Sequence, residues 1–410
     1  MAYIGRVLRE QSKKHGTKNA YLALREKILS KDVDIRRHLS IKEMAIAFMG
    51  DNWQEHLRNH AQYSPNRSET ESGLSLREAT EAVDASGFTA ITGQLLIDTV
   101  REWYELAPKV MDQAFRTVPI TNGNLQSQIE PWLGRVAHDP SPVNQAEPYP
   151  HTRFTGQYNT YPAPEKYGEI CNVAMEAIMS DLTGQILDAA GSVGEMTALW
   201  EEYKKLAVFL GLVNNFSWNG TTYNTYLTSG SWVNKKTDFT LTDYESINTI
   251  LQSFVGLTDP VTGKPINVQP KDLFVMPAKD FTAKRILNAT EVRYGNQATS
   301  GGLVAVSPNP VKGMFNPMSS IHARTIAVSG GGGVAAGSYT TAQADTIVVA
   351  GDFKRAFRWR EVYPLKVTQA PPQNPAEFEQ DIILRVKSSV YGVACVTDPR
   401  YVWFGYNSAA

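Results

Sequence analysis

Of the seven histidines, only His56 and His60 share a helical spacing, in Glu55-His56-Leu57-Arg58-Asn59-His60. Imidazoles at i and i+4 lie on one helix face and could share a metal ion. A zinc-protease site needs Glu directly after the first His as its base, and Leu57 stands there instead. No third ligand is near in sequence, so a solvated helix face is the better reading. Gly256 to Lys264 invites a phosphate-loop reading, but six residues separate Gly256 from Gly263-Lys264 where that loop has four. Pro265 also stands where Ser or Thr must hold magnesium. The glycines at 330 to 333 lack the lysine and the strand–loop–helix setting of a phosphate cradle, and read as a flexible loop between strands. Cys171 and Cys395 are too few for a disulfide framework or a cysteine zinc site, and neither sits in a catalytic signature. No Gly-x-Ser-x-Gly nucleophile elbow occurs. Glu165, Lys166, Glu169 and Glu176 form a charged cluster, for which salt bridges at a surface or interface are the commoner cause. These residue types and spacings predict no catalytic group, no cofactor and no metal.

The elements carrying these residues are those of a folded protein. The chain has 410 residues, 42% hydrophobic and 20% charged, with 40 Lys plus Arg against 41 Asp plus Glu. That suits about two or three domains, and a net charge of -1 excludes nucleic-acid binding driven by overall positive charge. Charges at Arg6, Arg9, Glu10, Lys13 and Lys14 interrupt any apolar leader. The apolar run Leu206 to Val213 is far short of the ~20 residues of a membrane helix. Two cysteines fit a reducing compartment.

Charge is unevenly spread. Residues 1–60 hold 12 Lys plus Arg and 7 Asp plus Glu, a balance of +5, so the other 350 sum to -6. Residues 21–29 and 40–49 read as short helices, the second with a capping box from Ser40 to Glu43. The polar run His60 to Gly73 reads as a linker. Gly87 to Ile120 opens a compact body with helical spacing in its middle. Between Pro131 and Gly168 fall seven of the 22 prolines, and the apolar content is mostly aromatic. Proline removes ladder donors, so an extended excursion or loose hairpin is expected there, not a central strand. Tyr167 to Ala177 reads as a strand. From Ile186, apolar residues recur at Ala189, Ala190, Val193, Met196, Leu199, Trp200, Tyr203, Leu206, Ala207 and Leu210. Those spacings predict one long helix, with Asp181 and Thr183 placed to cap it. Thr240 to Tyr244 opens a further helix running through Phe254, and Lys271 to Pro277 contains a buried strand. In the last 65 residues, Thr346–Phe353, Phe357–Arg360, Leu365–Val367 and an unusually long Asp381–Val396 read as strands.

Taken together these elements predict an α+β protein, much of which protrudes from any core and works by contact with copies of itself. Their order resembles the major capsid protein of tailed double-stranded-DNA phages. Glu165-Lys166-Tyr167-Gly168-Glu169-Ile170 through Glu176 to Asp181 resembles the join between extended loop and spine helix in that family. Gly351-Asp352-Phe353, Asp381 to Val386 and Asp398-Pro399-Arg400-Tyr401-Val402 resemble its C-terminal pattern. The resemblance implies an N-terminal helical arm and linker over 1–86, the start of a peripheral domain over 87–127 and an extended loop over 128–168. It further implies a peripheral domain over 169–239 with its spine helix at about 181–213, an axial domain over 240–345 and peripheral C-terminal strands over 346–410. A structural, non-enzymatic subunit is implied, self-assembling into hexamers and pentamers of an icosahedral head. Its partners would be other copies, portal, scaffold or decoration proteins, and packaged DNA at the inner face, with no membrane. It would assemble in the host cytoplasm and reside in the virion capsid. Arg153, Tyr158 and Lys166 are the expected intersubunit contacts. The alternatives are an encapsulin-type shell around cargo enzymes, and an enzyme with an unrecognised site.

Overall fold

A computed structural model describes residues 92–120, 125–133, 142–145, 147–149, 151, 156–180, 185–214, 216–230, 232–259, 263, 265–294, 305–370 and 382–410. The arm, its capping box, His56, His60, Arg153, Asp181 and Thr183 lie outside these residues. The described chain forms two compact units. The first takes, of the described residues, 92–108, 166–199 and 363–390; the second takes 109–165, 200–362 and 391–410.

The first unit is built on the crossing of two helices. Helix α1 covers residues 92–106 and buries Leu95, Leu96 and Val100. Its partner is the early part of the long helix, Gln185–Phe209, which we number α3 after α2, Met175–Ser180. Glycine inside a helix costs about 1 kcal/mol relative to alanine, yet α3 has Gly191 and Gly194 one turn apart. A Cβ on Gly194 would come within 2.1 Å of the Val100 carbonyl oxygen, and one on Gly191 within 2.5 Å of the Trp103 ring. The two backbones therefore touch where only hydrogen fits. Strand β4, Glu165–Ala174, runs into α2. A Cβ on its Gly168 would lie 2.5 Å from the Ser388 carbonyl oxygen, and Arg385 Nε donates to Asn172 Oδ1 at 3.0 Å. Ser388 and Arg385 belong to β14, Ile382–Val396.

The second unit contains a five-stranded sheet with both faces covered. Its strands are β7 (Lys235–Lys236), β8 (Asp272–Val275), β11 (Asn316–Met318), β12 (Val348–Gly351) and β15 (Val402–Gly405), in the order β11-β8-β12-β15-β7. β12 is antiparallel to both its neighbours, while the outer pairs are parallel. Leu273, Val275, Val348, Ala350 and Trp403 join one core with residues of α4 (Tyr244–Val255) and α5 (Pro277–Asn288). Asp243 caps α4 by accepting from Ser246 N–H at 3.0 Å, and proline opens α5 at a position whose N–H needs no partner. The opposite face meets the C-terminal end of α3, where the Phe209 ring lies 5.0 Å from Phe274, 4.9 Å from Phe353 and 5.1 Å from Phe357.

A second, antiparallel sheet runs β2 (Gln128–Leu133), β3 (Gly156–Tyr161), β5 (Phe216–Trp218) and β6 (Thr221–Tyr223), in that order. β5 and β6 are joined by Asn219-Gly220, both with positive φ (49° and 80°), the signature of a tight hairpin turn. Pro131 sits on edge strand β2 opposite Tyr158, as proline's missing donor requires. The proline-rich stretch is thus a hairpin, and its proline-free arm β3 lies inside the sheet.

Three sequence expectations need correction. Phe357–Arg360 and Leu365–Val367 are parts of one strand, β13 (Phe357–Gln369), which runs through Pro364. Its parallel register with β1 (Arg116–Pro119) covers only Arg358–Glu361, so Pro364 lies beyond that ladder. The glycines at 330 to 333 follow α6, Ile321–Ser329, and precede α7, Thr341–Ala344, rather than joining strands. Three of them pack tightly: a Cβ on Gly332 would lie 2.7 Å from the Tyr203 ring, while Gly333 faces open space. The expected one-sided stripe of the long helix also fails in detail, since Met196 is 57% exposed. From Lys205 to Leu210 every residue is buried, because there the helix is enclosed on all sides.

Gly194→Ala should therefore place a methyl group against a backbone carbonyl that cannot swing aside. The expected loss is about 1–3 kcal/mol, measured by denaturant unfolding. An unchanged midpoint would show that the two helices do not cross at this contact.

Candidate functional site

The C-terminal part of α3 carries three buried charged residues, Glu201, Glu202 and Lys205, at 5%, 1% and 2% exposure. Lys205 pairs with Glu201 at 2.5 Å, one turn earlier, and with Asp112 from the turn Val110–Gln113. Its ammonium also lies 4.8 Å from the centre of the Trp359 ring. Burial alone would lower the Lys205 pKa, but Glu201 and Asp112 outweigh it and the net shift is upward. The ammonium is held charged.

Glu202 is different. Its carboxylate accepts the Met111 N–H at 3.1 Å and the Ser320 hydroxyl at 3.3 Å. Burial pushes its carboxyl from the ordinary 4.5 up to about 7, against the downward pull of the Met111 bond and Lys205. Near Lys205, burial and the Glu201 charge also raise the Glu361 carboxyl. A carboxyl titrating near 7 is what general acid–base catalysis uses. Here it ties α3 to the 110–113 turn and to the residue preceding α6, and its chemistry is that of a buried clamp. Sequence reasoning missed it. The signal was present, because Glu202 falls on the stripe formed by Leu199, Leu206 and Leu210, where a carboxylate must find partners.

Neither thiol is poised for nucleophilic work. Both cysteines are free; burial raises Cys171 and pushes Cys395 to about 12. Among the described residues, no group of three or more His, Cys, Asp or Glu is placed to hold a metal ion. No helix among them is long and apolar enough to cross a membrane.

The surfaces suited to contact lie elsewhere. On the hairpin sheet, Ile129 is 67% exposed and Tyr158 38%, and Tyr149 in the intervening stretch is 82% exposed. Tyr158 is anchored through its backbone, its N–H donating to Asn219 Oδ1 and its carbonyl accepting Asn219 N–H, both at 3.0 Å. The hairpin root is fixed to β13, where Arg358 pairs with Glu130 at 3.0 Å and Arg360 donates to Gln128. Lys166 is exposed on β4 in the first unit, whereas Tyr158 belongs to the second. Beside Lys166, Glu165 pairs with Lys204 at 3.7 Å. Of the expected contact residues, Tyr158 and Lys166 are thus described at separate places, and Arg153 lies outside the described residues.

A family model described as "Phage capsid protein" matches residues 157–403, more than half of the chain. No curated protein is significantly similar to it. Similar solved structures include the mature capsid of bacteriophage PhiM1, at 10% identity and TM-score 0.46 over 74% of this chain and 89% of that one. Gordonia phage Cozz gives 14% identity and TM-score 0.43 over 74% and 87%. A virus-like particle from Pyrococcus furiosus gives 7% identity and TM-score 0.39 over 75% and 97%.

The Glu202 carboxyl gives the fold a pH dependence of definite sign. Its folded value lies above the unfolded one, so between about 4.5 and about 7 the folded state binds more protons. Stability must fall as pH rises through that window and level off above it. Comparing about pH 5 with about pH 8, Glu202→Gln should remove a loss on the order of 3 kcal/mol. Denaturant titrations of both proteins at the two pH values measure it, and equal slopes would exclude Glu202 as the source.

Proposed function

Because the chain belongs to the phage capsid protein family, a family of structural shell subunits that associate with copies of themselves in the virion capsid, we propose that its copies form hexamers and pentamers of an icosahedral head around double-stranded DNA. The observation that carries this reading is the family match from within β3 to within β15, which takes in most of the described residues of both compact units. Assembly takes place in the host cytoplasm, and portal, scaffold or decoration proteins are the further partners. In this reading residues 128–168 are the extended loop, with β2 and β3 as its rooted stem and its tip reaching a neighbouring copy. Arg153, Tyr158 and Lys166 then lie at intersubunit contacts. The axial domain covers 240–345, and the peripheral domain is assembled from 87–127, 169–239 and 346–410.

The arm over 1–86 has a separate role. Its first 60 residues sum to +5 and the rest of the chain to -6, so the arm of one copy suits the body of another. Dedicated DNA-binding arms carry few acids, and this one has seven. Its apolar residues Leu22, Ile28, Leu29, Met44, Ile46 and Phe48 need a protein surface to cover them, which a duplex does not offer.

Electron microscopy of the purified full chain should show closed particles with fivefold and sixfold clusters. Subunits that stay monomeric under all assembly conditions would overturn the reading. Replacing residues 134–155 by an Asn-Gly turn keeps β2 and β3 and should leave soluble subunits that do not close shells; normal particles would remove the loop from the contact. Truncating residues 1–60 should lower the melting temperature of empty and filled shells alike. Loss of genome retention with unchanged empty shells would instead assign the arm to DNA.

A further inference from the structure

Asparagine followed by glycine is chemically fragile, because glycine leaves the next backbone nitrogen uncrowded beside the asparagine side chain. The sequence has two such pairs, Asn122-Gly123 and Asn219-Gly220. The first lies outside the described residues. The second is the turn joining β5 to β6, and both of its residues are exposed to water.

The chemistry of such a pair is defined. Gly220 N gives its proton to solvent base and attacks Asn219 Cγ. The Cγ–Nδ2 bond breaks, and Nδ2 takes up a proton and leaves as ammonia. Water then opens the five-membered imide. Breaking the new N–Cγ bond yields aspartate. Breaking the original peptide bond instead leaves the main chain running through Cγ, as isoaspartate. One water is consumed and one ammonia released, with no oxidant or cofactor.

The folded turn opposes the first step. Closing the ring onto Gly220 N requires rotation about the Cα–Cβ and Cα–C bonds of Asn219. The first rotation withdraws Oδ1 from the Tyr158 N–H, which donates to it at 3.0 Å. The second twists a main chain that is held on both sides. Asn219 N–H donates to the Tyr158 carbonyl at 3.0 Å, and Trp218 and Thr221 pair across the hairpin. The positive φ of Asn219 and Gly220, 49° and 80°, belongs to that closed turn. Aromatic packing keeps the hairpin shut. The Tyr223 ring lies 6.0 Å from Trp218 and 5.3 Å from Trp232, and those two indoles lie 6.2 Å apart.

We propose that Asn219-Gly220 is a self-modification site gated by this hairpin. Closed, the turn holds the amide unreactive; open, it converts at the rate of an unstructured chain. Aspartate keeps the turn, since its carboxylate can still accept the Tyr158 N–H. Isoaspartate adds one carbon to the main chain between Trp218 and Thr221, and a two-residue turn cannot close around it. Molecules that have opened are thereby marked irreversibly, at the support of Tyr158. The inference rests on the turn and does not depend on shell formation.

Mass spectrometry of peptides from the full chain, aged at mildly alkaline pH either folded or in guanidinium chloride, tests it. In denaturant the two Asn-Gly pairs should convert at similar rates. In the folded chain Asn219 should convert more slowly than in denaturant by about tenfold or more. Equal folded and unfolded rates at Asn219 would overturn the proposal. Tyr223→Ala removes one packed ring and keeps every hydrogen-bonding group of the turn, so the folded rate should rise by about threefold or more. A folded rate unchanged by that substitution would show that hairpin opening is not the gate. If Tyr223→Ala does not fold, hydrogen exchange of the wild type decides. The open fraction of residues 216–223 multiplied by the unfolded rate should reproduce the folded rate, and a mismatch beyond about tenfold would refute the gating.

Discussion

The enclosure of the C-terminal part of α3 is the constraint on which the second unit depends. A helix buried on every side cannot send its polar groups to water, so each must be answered by the elements around it. Phe209 answers with aromatic packing against β8, the turn after β12 and the start of β13. Lys205 requires Asp112 and Glu201, and Glu202 requires the Met111 N–H and the Ser320 hydroxyl. Four segments far apart in sequence are thereby fixed against one helical stretch. Breaking a buried pair of this kind costs about 3–5 kcal/mol, because the surviving charge has nowhere to go.

Much of this was legible because it depends on local pattern. The long helix, the strand before it, the helix opened by Asp243 and the strand around Phe274 all follow from periodicity and capping, which are properties of neighbouring residues. Elements decided by distant partners were not legible. Phe357–Arg360 and Leu365–Val367 read as two short strands, yet they are one, since whether the donor missing at Pro364 is needed depends on where β1 ends. Gly191 and Gly194 are explained only once Val100 and Trp103 are brought against them. The glycines at 330 to 333 suggested flexibility, whereas Tyr203 makes two of them a packing requirement. The burial of Glu201, Glu202 and Lys205 is likewise decided by distant partners, which charge alone does not reveal.

The candidate contact residues stand differently. Tyr158 comes from a composition argument, prolines and aromatics in a stretch with no core of its own, and its ring is partly exposed on the hairpin. The backbone of Tyr158 is nevertheless fixed at both polar groups by Asn219, so the exposed ring is offered from a rigid support. A rigid presenter loses little conformational entropy on association. That suits a subunit which must make the same contact many times over.

The position of β15 has a consequence for how the protein is made. Residues 402–405 do not lie at the border of the five-stranded sheet but between β12 and β7, hydrogen-bonded on both sides. Residues 402–405 therefore supply an interior strand to segments that precede them in sequence. During synthesis, which proceeds at about 5–20 residues per second, the ribosome must pass residue 405 before this sheet can close. A nascent chain cannot present the finished second unit to completed molecules nearby, and a prematurely terminated one would leave β7 and β12 without their common neighbour. Strand β15 thus acts as a late checkpoint: only chains extended through residue 405 can acquire the completed sheet.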